Sequence, residues 1–376
     1  MTRKTTVSIK DETWLVNGNL TYQGQTFRDW SIEGLLLNSR MVNAIFDDEN
    51  EHTRFLWHYP DTDAWDPERN TREFLAAMPD YRAHGLLGIT VNLQGGAPSG
   101  YYRMPEFRKY LASIGIEIAD DLLWAGVPSP MSQPWHNSAF DADGNLKQSY
   151  LDRLTRILDR ADDLGMVVIL GLFYQGQDER LRDEAAVRHA IDEACRWVLE
   201  QGYTNVVIEI NNECNTRYEH ELLQPERVHE AIALAKDVTR NGRRLLVGTS
   251  YSGGGWIPSE AVAKVSDFLL VHGNGITDPR EIADIVDRTR ALATYTPKPI
   301  VFNEDDHFNF DQPENNFTSA LSRYASWGYF DPGEGAGGQV AFGNYRDGYQ
   351  LVPVNWGLNT ARKREFFDFL KEVTAS

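Results

Sequence analysis

Met166-Val167-Val168-Ile169-Leu170-Gly171-Leu172-Phe173 carries no polar side chain. Alternation would mark a strand with one wet face. An unbroken apolar run marks a strand buried on both faces, as in a parallel sheet flanked by helices. On its N-terminal side Leu151, Leu154, Ile157, Leu158 and Ala161 recur at helical spacing, and on its C-terminal side Ala186, Ala190, Ile191, Ala194 and Val198 do the same. Outward from this unit the alternation repeats. Residues 32–37, 88–92, 206–210, 245–247, 268–271, 299–302 and 339–342 read as further strands. Asn70 three residues before Glu73 reads as a helix cap, followed by Phe74, Leu75, Met78 and Tyr81. Further helices are expected from near Pro225, after Asp278-Pro279, over residues 317–324 and at the C-terminus around Phe366–Leu370. The helix after the fifth strand has the weakest pattern.

Eight strands with helices between them predict an α/β fold, a (β/α)₈ TIM barrel, over an open doubly wound sheet. The barrel is expected over residues 30–373, with enlarged loops after strands one and two. Residues 5–28 precede it as a β hairpin, in which Asn17-Gly18 has the composition of a tight turn. No linker interrupts the pattern, so residues 1–376 read as one domain.

The chain has 376 residues, with 37 Lys and Arg against 55 Asp and Glu, a formal charge of −18. That surplus speaks against nucleic acid or an anionic membrane as partner, since both need a positive face. Cys195 and Cys214 are the two cysteines, too few for a disulfide framework. Residues 1–10 lack the apolar core of a secretory leader, and no apolar stretch is long enough to cross a bilayer. A cytoplasmic location is expected for the sequence as it stands, and a secreted or periplasmic one if a leader has been removed. Nothing in the sequence reads out the oligomeric state.

Several motifs have plain explanations. Gly333-Glu334-Gly335-Ala336-Gly337-Gly338 matches a dinucleotide fingerprint but leads into a strand rather than a helix. Gly248-Thr249-Ser250-Tyr251-Ser252 lacks the last glycine of a nucleophile elbow. Asp141-Ala142-Asp143-Gly144-Asn145 opens like a calcium loop but lacks the Glu at its twelfth position, so it reads as a turn before a helix. Asp47-Asp48-Glu49 reads as a solvated loop that could also meet a substrate at the barrel mouth.

The decisive positions are two strand ends. Strand four runs into Asn211-Asn212-Glu213-Cys214, and strand seven into Asn303-Glu304-Asp305-Asp306. In this fold the active site lies at the C-terminal strand ends, so acids there face each other across the mouth. Paired carboxylates flanking one bond are what glycoside hydrolysis requires.

Here the sequence resembles the 4/7 superfamily of retaining glycoside hydrolases, clan A, which includes the family 5 cellulases and mannanases. The resemblance covers residues 30–373 and rests on Asn212-Glu213 and Glu304. It implies Glu213 as general acid/base, Glu304 as nucleophile and Asn212 as a ligand of the sugar 2-hydroxyl. Two carboxyls ~5–5.5 Å apart do not both ionise easily, so Glu304's charge is expected to keep Glu213 protonated. The clan's His-x-Tyr after strand six appears as His272-Gly273-Asn274, so His272 carries over and Asn274 stands where Tyr is usual. The clan's Trp at the end of strand eight is replaced by Phe342, with Tyr345 and Trp356 downstream.

Around this pair the sequence offers further candidates. Arg40 is placed to keep Glu304 ionised, unless it pairs with Asp47-Asp48. Asn92 and Gln94 end strand two and can reach sugar hydroxyls. Trp135 and His136 lie in the long second loop, and Trp135, Tyr174, Tyr251 and Trp256 are candidate stacking platforms. Cys214 reads as packing. The expected partner is an oligosaccharide or polysaccharide, with no nucleic acid or membrane, and no cofactor is called for. Two alternatives stand beside this reading. One is a metal-dependent barrel hydrolase using Glu304, Asp305, Asp306 and His307. The other is a silent carbohydrate-binding barrel.

Overall fold

The computed structural model describes residues 3–96, 98, 112–113, 133, 135–307, 309–333, 345 and 348–375. The N-terminal segment forms an antiparallel sheet of β1 (Val7–Lys10), β2 (Thr13–Val16) and β3 (Asn19–Leu20), then a hairpin of β4 (Thr26–Phe27) and β5 (Trp30–Ser31). The expected single hairpin is thus two turns. Asp11, at φ +52°, helps turn β1 into β2, while Asn17-Gly18, both at positive φ, turns β2 into β3.

The barrel strands are β6 (Asn38–Arg40), β7 (Gly88–Asn92), β8 (Val167–Phe173), β9 (Val206–Asn211), β10 (Val247–Gly248), β11 (Leu269–His272), β12 (Ile300–Glu304) and β13 (Gly328–Tyr329). Six pair in the parallel order β10-β9-β8-β7-β6-β13, and β11 pairs with β12 in parallel. Two contacts join these sheets. Asp267 N–H donates to Val247 O at 2.9 Å, and Val301 bridges Ser326, just before β13. The order follows the chain around a (β/α)₈ barrel.

The eighth strand is therefore Gly328–Tyr329 rather than residues 339–342, which lie outside the described residues. The first strand also lies later than expected, at Asn38–Arg40, because residues 32–37 approach the barrel without ladder pairing. Helices α1 (Pro67–Ala83), α2 (Gln148–Leu164), α3 (Glu184–Glu200), α4 (Val228–Asp237), α5 (Glu260–Val265), α6 (Pro279–Arg290), α7 (Asn316–Ser322) and α8 (Ala361–Thr374) lie between or after the strands. The cap of α1 is Asp66, whose carboxylate accepts from Arg69 N–H, and Pro67 opens the helix. Asn70 lies inside α1. Its amide donates to Asn43 O at 2.8 Å and accepts from Trp356 Nε1 at 3.0 Å.

The barrel interior holds Leu36, Leu87, Val167, Ile169, Val207, Phe268, Leu270 and Val301. Trp14 of β2 closes this core with its ring 5.3 Å from Phe268, so the N-terminal sheet plugs one mouth. That packing needs the chain to turn tightly at Gly34. Its φ is +84°, and a Cβ there would sit within 3.0 Å of Thr13 and the Tyr324 hydroxyl. The opposite mouth carries the strand C-termini. No helix among the described residues is long and apolar enough to cross a membrane.

Candidate active site

Strand register brings the candidate residues together. Arg40 ends β6, His272 ends β11 and Glu304 ends β12. A bulge between Val271 and His272 pairs His272 with Glu304 and skips Asn303. The ladder shift re-aims His272 toward the acids. Glu213 lies two residues past β9. Its amide donates to Ser250 Oγ at 2.9 Å, and Cys214 N–H donates to Ser250 O at 2.9 Å. Glu213 has φ +51°, a conformation that costs a non-glycine residue about 1–3 kcal/mol. That strain sits on a residue the sequence singled out for chemistry.

Ligand atoms of Glu213, His272 and Glu304 all lie within 4.8 Å of one another. His272 Nδ1 donates to Glu213 Oε1 at 3.0 Å and lies 3.6 Å from Glu304 Oε2. Arg40 Nε contacts Glu304 Oε2 at 2.5 Å, and a second guanidinium nitrogen donates to Asn212 Oδ1 at 2.5 Å. The third lies 3.5 Å from Glu209 Oε2. Arg40 is 2% exposed, so it serves the site and is no surface ion pair with Asp47-Asp48. Asn274 Nδ2 donates to Glu304 Oε1 at 2.6 Å. An amide thus fills the place where the resemblance leads one to expect a phenol.

The environments polarise the two acids differently. Burial pushes Glu304 up, Arg40 and His272 pull against it, and with the Glu213 charge adding to burial it stays above the ordinary carboxylate value. Burial also opposes charge on Glu213, but the His272 hydrogen bond and charge, then Arg40, hold it below that value. His272 is itself raised. Burial works against its charge, but Glu304 and Glu213 outweigh that. The expected order, with Glu213 protonated by Glu304's charge, is therefore not the one the empty pair favours. His272 is the reason, because its hydrogen bond and its charge favour the ionised form of Glu213.

Other expected residues separate into those near the pair and those that build its walls. Asn212 is 2% exposed and holds Gln175 Oε1 through its Nδ2 at 3.3 Å, besides accepting from Arg40. Asn92 is 3% exposed, and neither side-chain amide atom has a hydrogen-bond partner. It pairs in register with Gly171, where a Cβ would strike its Oδ1. Gln94 is committed to structure, donating to Ser138 Oγ at 2.9 Å and Gln177 O at 3.2 Å. Trp135 packs edge-on against Trp57 with centroids 5.8 Å apart. His136 pairs with Glu49 at 3.5 Å. Burial, with Arg180 and Lys147 nearby, pushes it down to about 3, so it stays neutral. Tyr174 is buried near enough to Arg40 to feel its charge. Phe342 lies outside the described residues. Trp356 is core, packed on Phe74 at 4.7 Å.

The acidic run in the first loop is not solvated as a whole. Asp48 is fully buried and accepts from Thr53 Oγ1 at 2.6 Å, Trp57 Nε1 at 2.7 Å and His136 N–H at 2.8 Å. It ties loop one to loop two. Asp141 accepts from the amides of Asp143 and Asn145, so that segment is the expected turn. Glu209 was missed, although a lone acid in the apolar run of residues 206–210 was the available signal. It is fully buried beneath the pair and also accepts from Asn303 Nδ2 at 3.2 Å.

The run 304–307 does not gather as metal ligands. Asp305 accepts from Trp327 Nε1 at 2.9 Å and Asn316 Nδ2 at 3.0 Å, and Asp306 accepts from Gly275 N–H at 3.0 Å. Glu213, His272 and Glu304 are close enough to share an ion, but Arg40 already places a cation on Glu304.

With this geometry established, comparison with solved structures is informative. An endoglucanase of glycoside hydrolase family 5, subfamily 4, from Clostridium longisporum superposes with a TM-score of 0.52 at 10% identity, covering 91% of this chain and 96% of that one. The chain has the fold of the family 5 glycoside hydrolases. A family 5 mannosidase from Rhizomucor miehei gives 0.51 at 11% identity over 99% and 98% of the two chains. A family 5 glycoside hydrolase from Bacteroides vulgatus gives 0.50 at 12%, over 98% and 70%. No family model matches the sequence, and no curated protein matches it. The likeness to family 5 is one of fold.

Proposed function

We propose that the protein is a retaining glycoside hydrolase acting on a β-linked oligosaccharide or polysaccharide, with Glu304 as nucleophile and Glu213 as general acid/base. The observation that carries this is the cluster at the barrel mouth, two carboxylates within 4.8 Å with Arg40 on Glu304. Retaining enzymes hold their two carboxyls ~5–5.5 Å apart and inverting ones ~6.5–9.5 Å, so a close pair supports the retaining reading. The family 5 fold of the solved neighbours supports the same reading.

In the resting site His272 Nδ1, 3.0 Å from Glu213 Oε1, is placed to share a proton with that carboxylate. A sugar entering the mouth displaces water, and a charged His272–Glu213 pair becomes costly without it. The His272 proton, 3.0 Å from Glu213 Oε1, then moves onto Glu213. With His272 neutral, Arg40 and Asn274 remain to hold Glu304 as the carboxylate. Glu304 attacks the anomeric carbon as Glu213 protonates the departing oxygen. Once the glycosyl–Glu304 ester has formed, Glu213 takes a proton from water, and the water oxygen displaces Glu304.

The test is a panel of β-glycosides with product stereochemistry read by NMR, then trapping with a 2-fluoro sugar and peptide mapping. A β-configured first product and a label on Glu304 are expected. An α-configured product, or a label on another residue, would overturn the assignment.

A further inference from the structure

Four aromatic residues beyond strand ends are candidates for stacking on sugar, and burial separates them. Trp135, Tyr174 and Tyr251 are 2%, 8% and 4% exposed, whereas Trp256 is 57% exposed. Among the described residues, Trp256 and Phe55 are the exposed large apolar side chains, Trp256 in the loop after β10 and Phe55 in a short 3-10 turn of the connection after β6. One exposed apolar residue is ordinary on any surface. What distinguishes Trp256 is how its loop is held.

Trp256 follows Gly253-Gly254-Gly255, a run that alone would leave its neighbour loose. Here each part is fastened. Ser252 and Asn215 exchange hydrogen bonds at 2.8 Å, one through the Ser252 amide and one through its hydroxyl. The Gly253 amide bonds Glu213. Gly254 N–H donates to Asn274 O at 3.0 Å, and Arg288 donates to Gly255 O at 2.8 Å. On the far side Ile257 packs on the core and Pro258 is buried. The backbone is pinned on both sides of an indole left in solvent. A large aromatic ring on a fixed support offers contact area at little entropic cost.

The place of this ring follows from the chemistry. In the proposed reaction the leaving group departs against Glu213, and Gly253 touches Glu213. Three residues of extended chain span at most about 11 Å, so the Trp256 backbone lies no farther than that from Gly253, on the side where a leaving group departs against Glu213. We infer that Trp256 is the platform of a leaving-group subsite, stacking the apolar face of a pyranose ring beyond the scissile bond. The substrate it selects is a chain that continues past the cleaved bond rather than a glycoside of a small alcohol. The inference rests on the retaining glycosidase reading above.

Trp256→Ala tests it with two substrate types. Glycosyl fluorides release an ion too small to touch residue 256, while oligosaccharides of the same sugar place a ring there. In the variant, kcat/KM on oligosaccharides is expected to fall about tenfold or more, with fluoride hydrolysis within about twofold of wild type. Trp256→Phe should recover most of the loss, and an unchanged Tm would show that folding is intact. Equal effects on both substrates, or none on oligosaccharides, would overturn the subsite while the glycosidase reading stands. A wild type inactive on both across glucosyl and mannosyl panels would overturn that reading and the subsite with it.

Discussion

The ends of strands four and seven carry the same side chain and treat it differently. Glu304 is the last residue of its strand, paired with Arg40 and hydrogen-bonded by Asn274, neither of which can take its proton, with His272 farther off at 3.6 Å. Glu213 stands two residues beyond its strand at φ +51°, and its nearest partner is His272, a group that does exchange protons. Fixed partners suit a group that must stay charged. A titratable partner suits one that must gain and lose a proton in each turnover.

The largest way to break this comparison is to remove each acid in turn. Glu304→Gln leaves no nucleophile, and kcat should fall about 10⁵-fold or more on every substrate. Glu213→Gln should cost about 10²–10⁴-fold on natural glycosides and far less on activated fluorides, which need no acid. Equal losses on both substrate types would remove the distinction between the two acids.

Exchanging the partners sharpens it. Arg40 lowers Glu304, so Arg40→Gln should raise it. The ionised form is the reactive one, so the acid limb of kcat/KM moves to higher pH. The same variant leaves Glu209 buried without its cation, a loss of about 3–5 kcal/mol seen as a lower Tm. His272 lowers Glu213, so His272→Gln should raise it. The protonated form is the acid, so there the basic limb moves to higher pH. Limbs moving the other way would reverse the assigned roles.

Much of this site was legible because the strand ends on which it stands follow long apolar runs. The runs at 166–173, 206–210 and 299–302 placed Glu213 and Glu304 without reference to the rest of the chain. The eighth strand was hidden because it is two residues, Gly328–Tyr329, too short for any periodicity. Asp48 read as solvated because a run of three acids ordinarily is. Hydrogen bonds from Thr53, Trp57, Asn50 and the distant His136 hold it inside. The role of His272 depended on a register shift between β11 and β12 that skips Asn303 and leaves no mark in composition.

The smallest expected effect comes from Cys214, the residue beside Glu213. It is fully buried, and burial pushes its thiol up, with the charge of Glu213 adding to this. Its amide carries the structural duty, donating to Ser250 O, and that survives any substitution of the side chain. Cys214→Ala should therefore change kcat/KM by less than about twofold and stability by about 1 kcal/mol, the cost of a small cavity. Iodoacetamide should leave the native enzyme active, because a buried neutral thiol is a poor nucleophile. Inactivation by alkylation, prevented in the alanine variant, would show that the thiol opens toward the site. In that case the backbone at Glu213 is mobile, and its strained φ is not the fixed feature that separates strand four from strand seven.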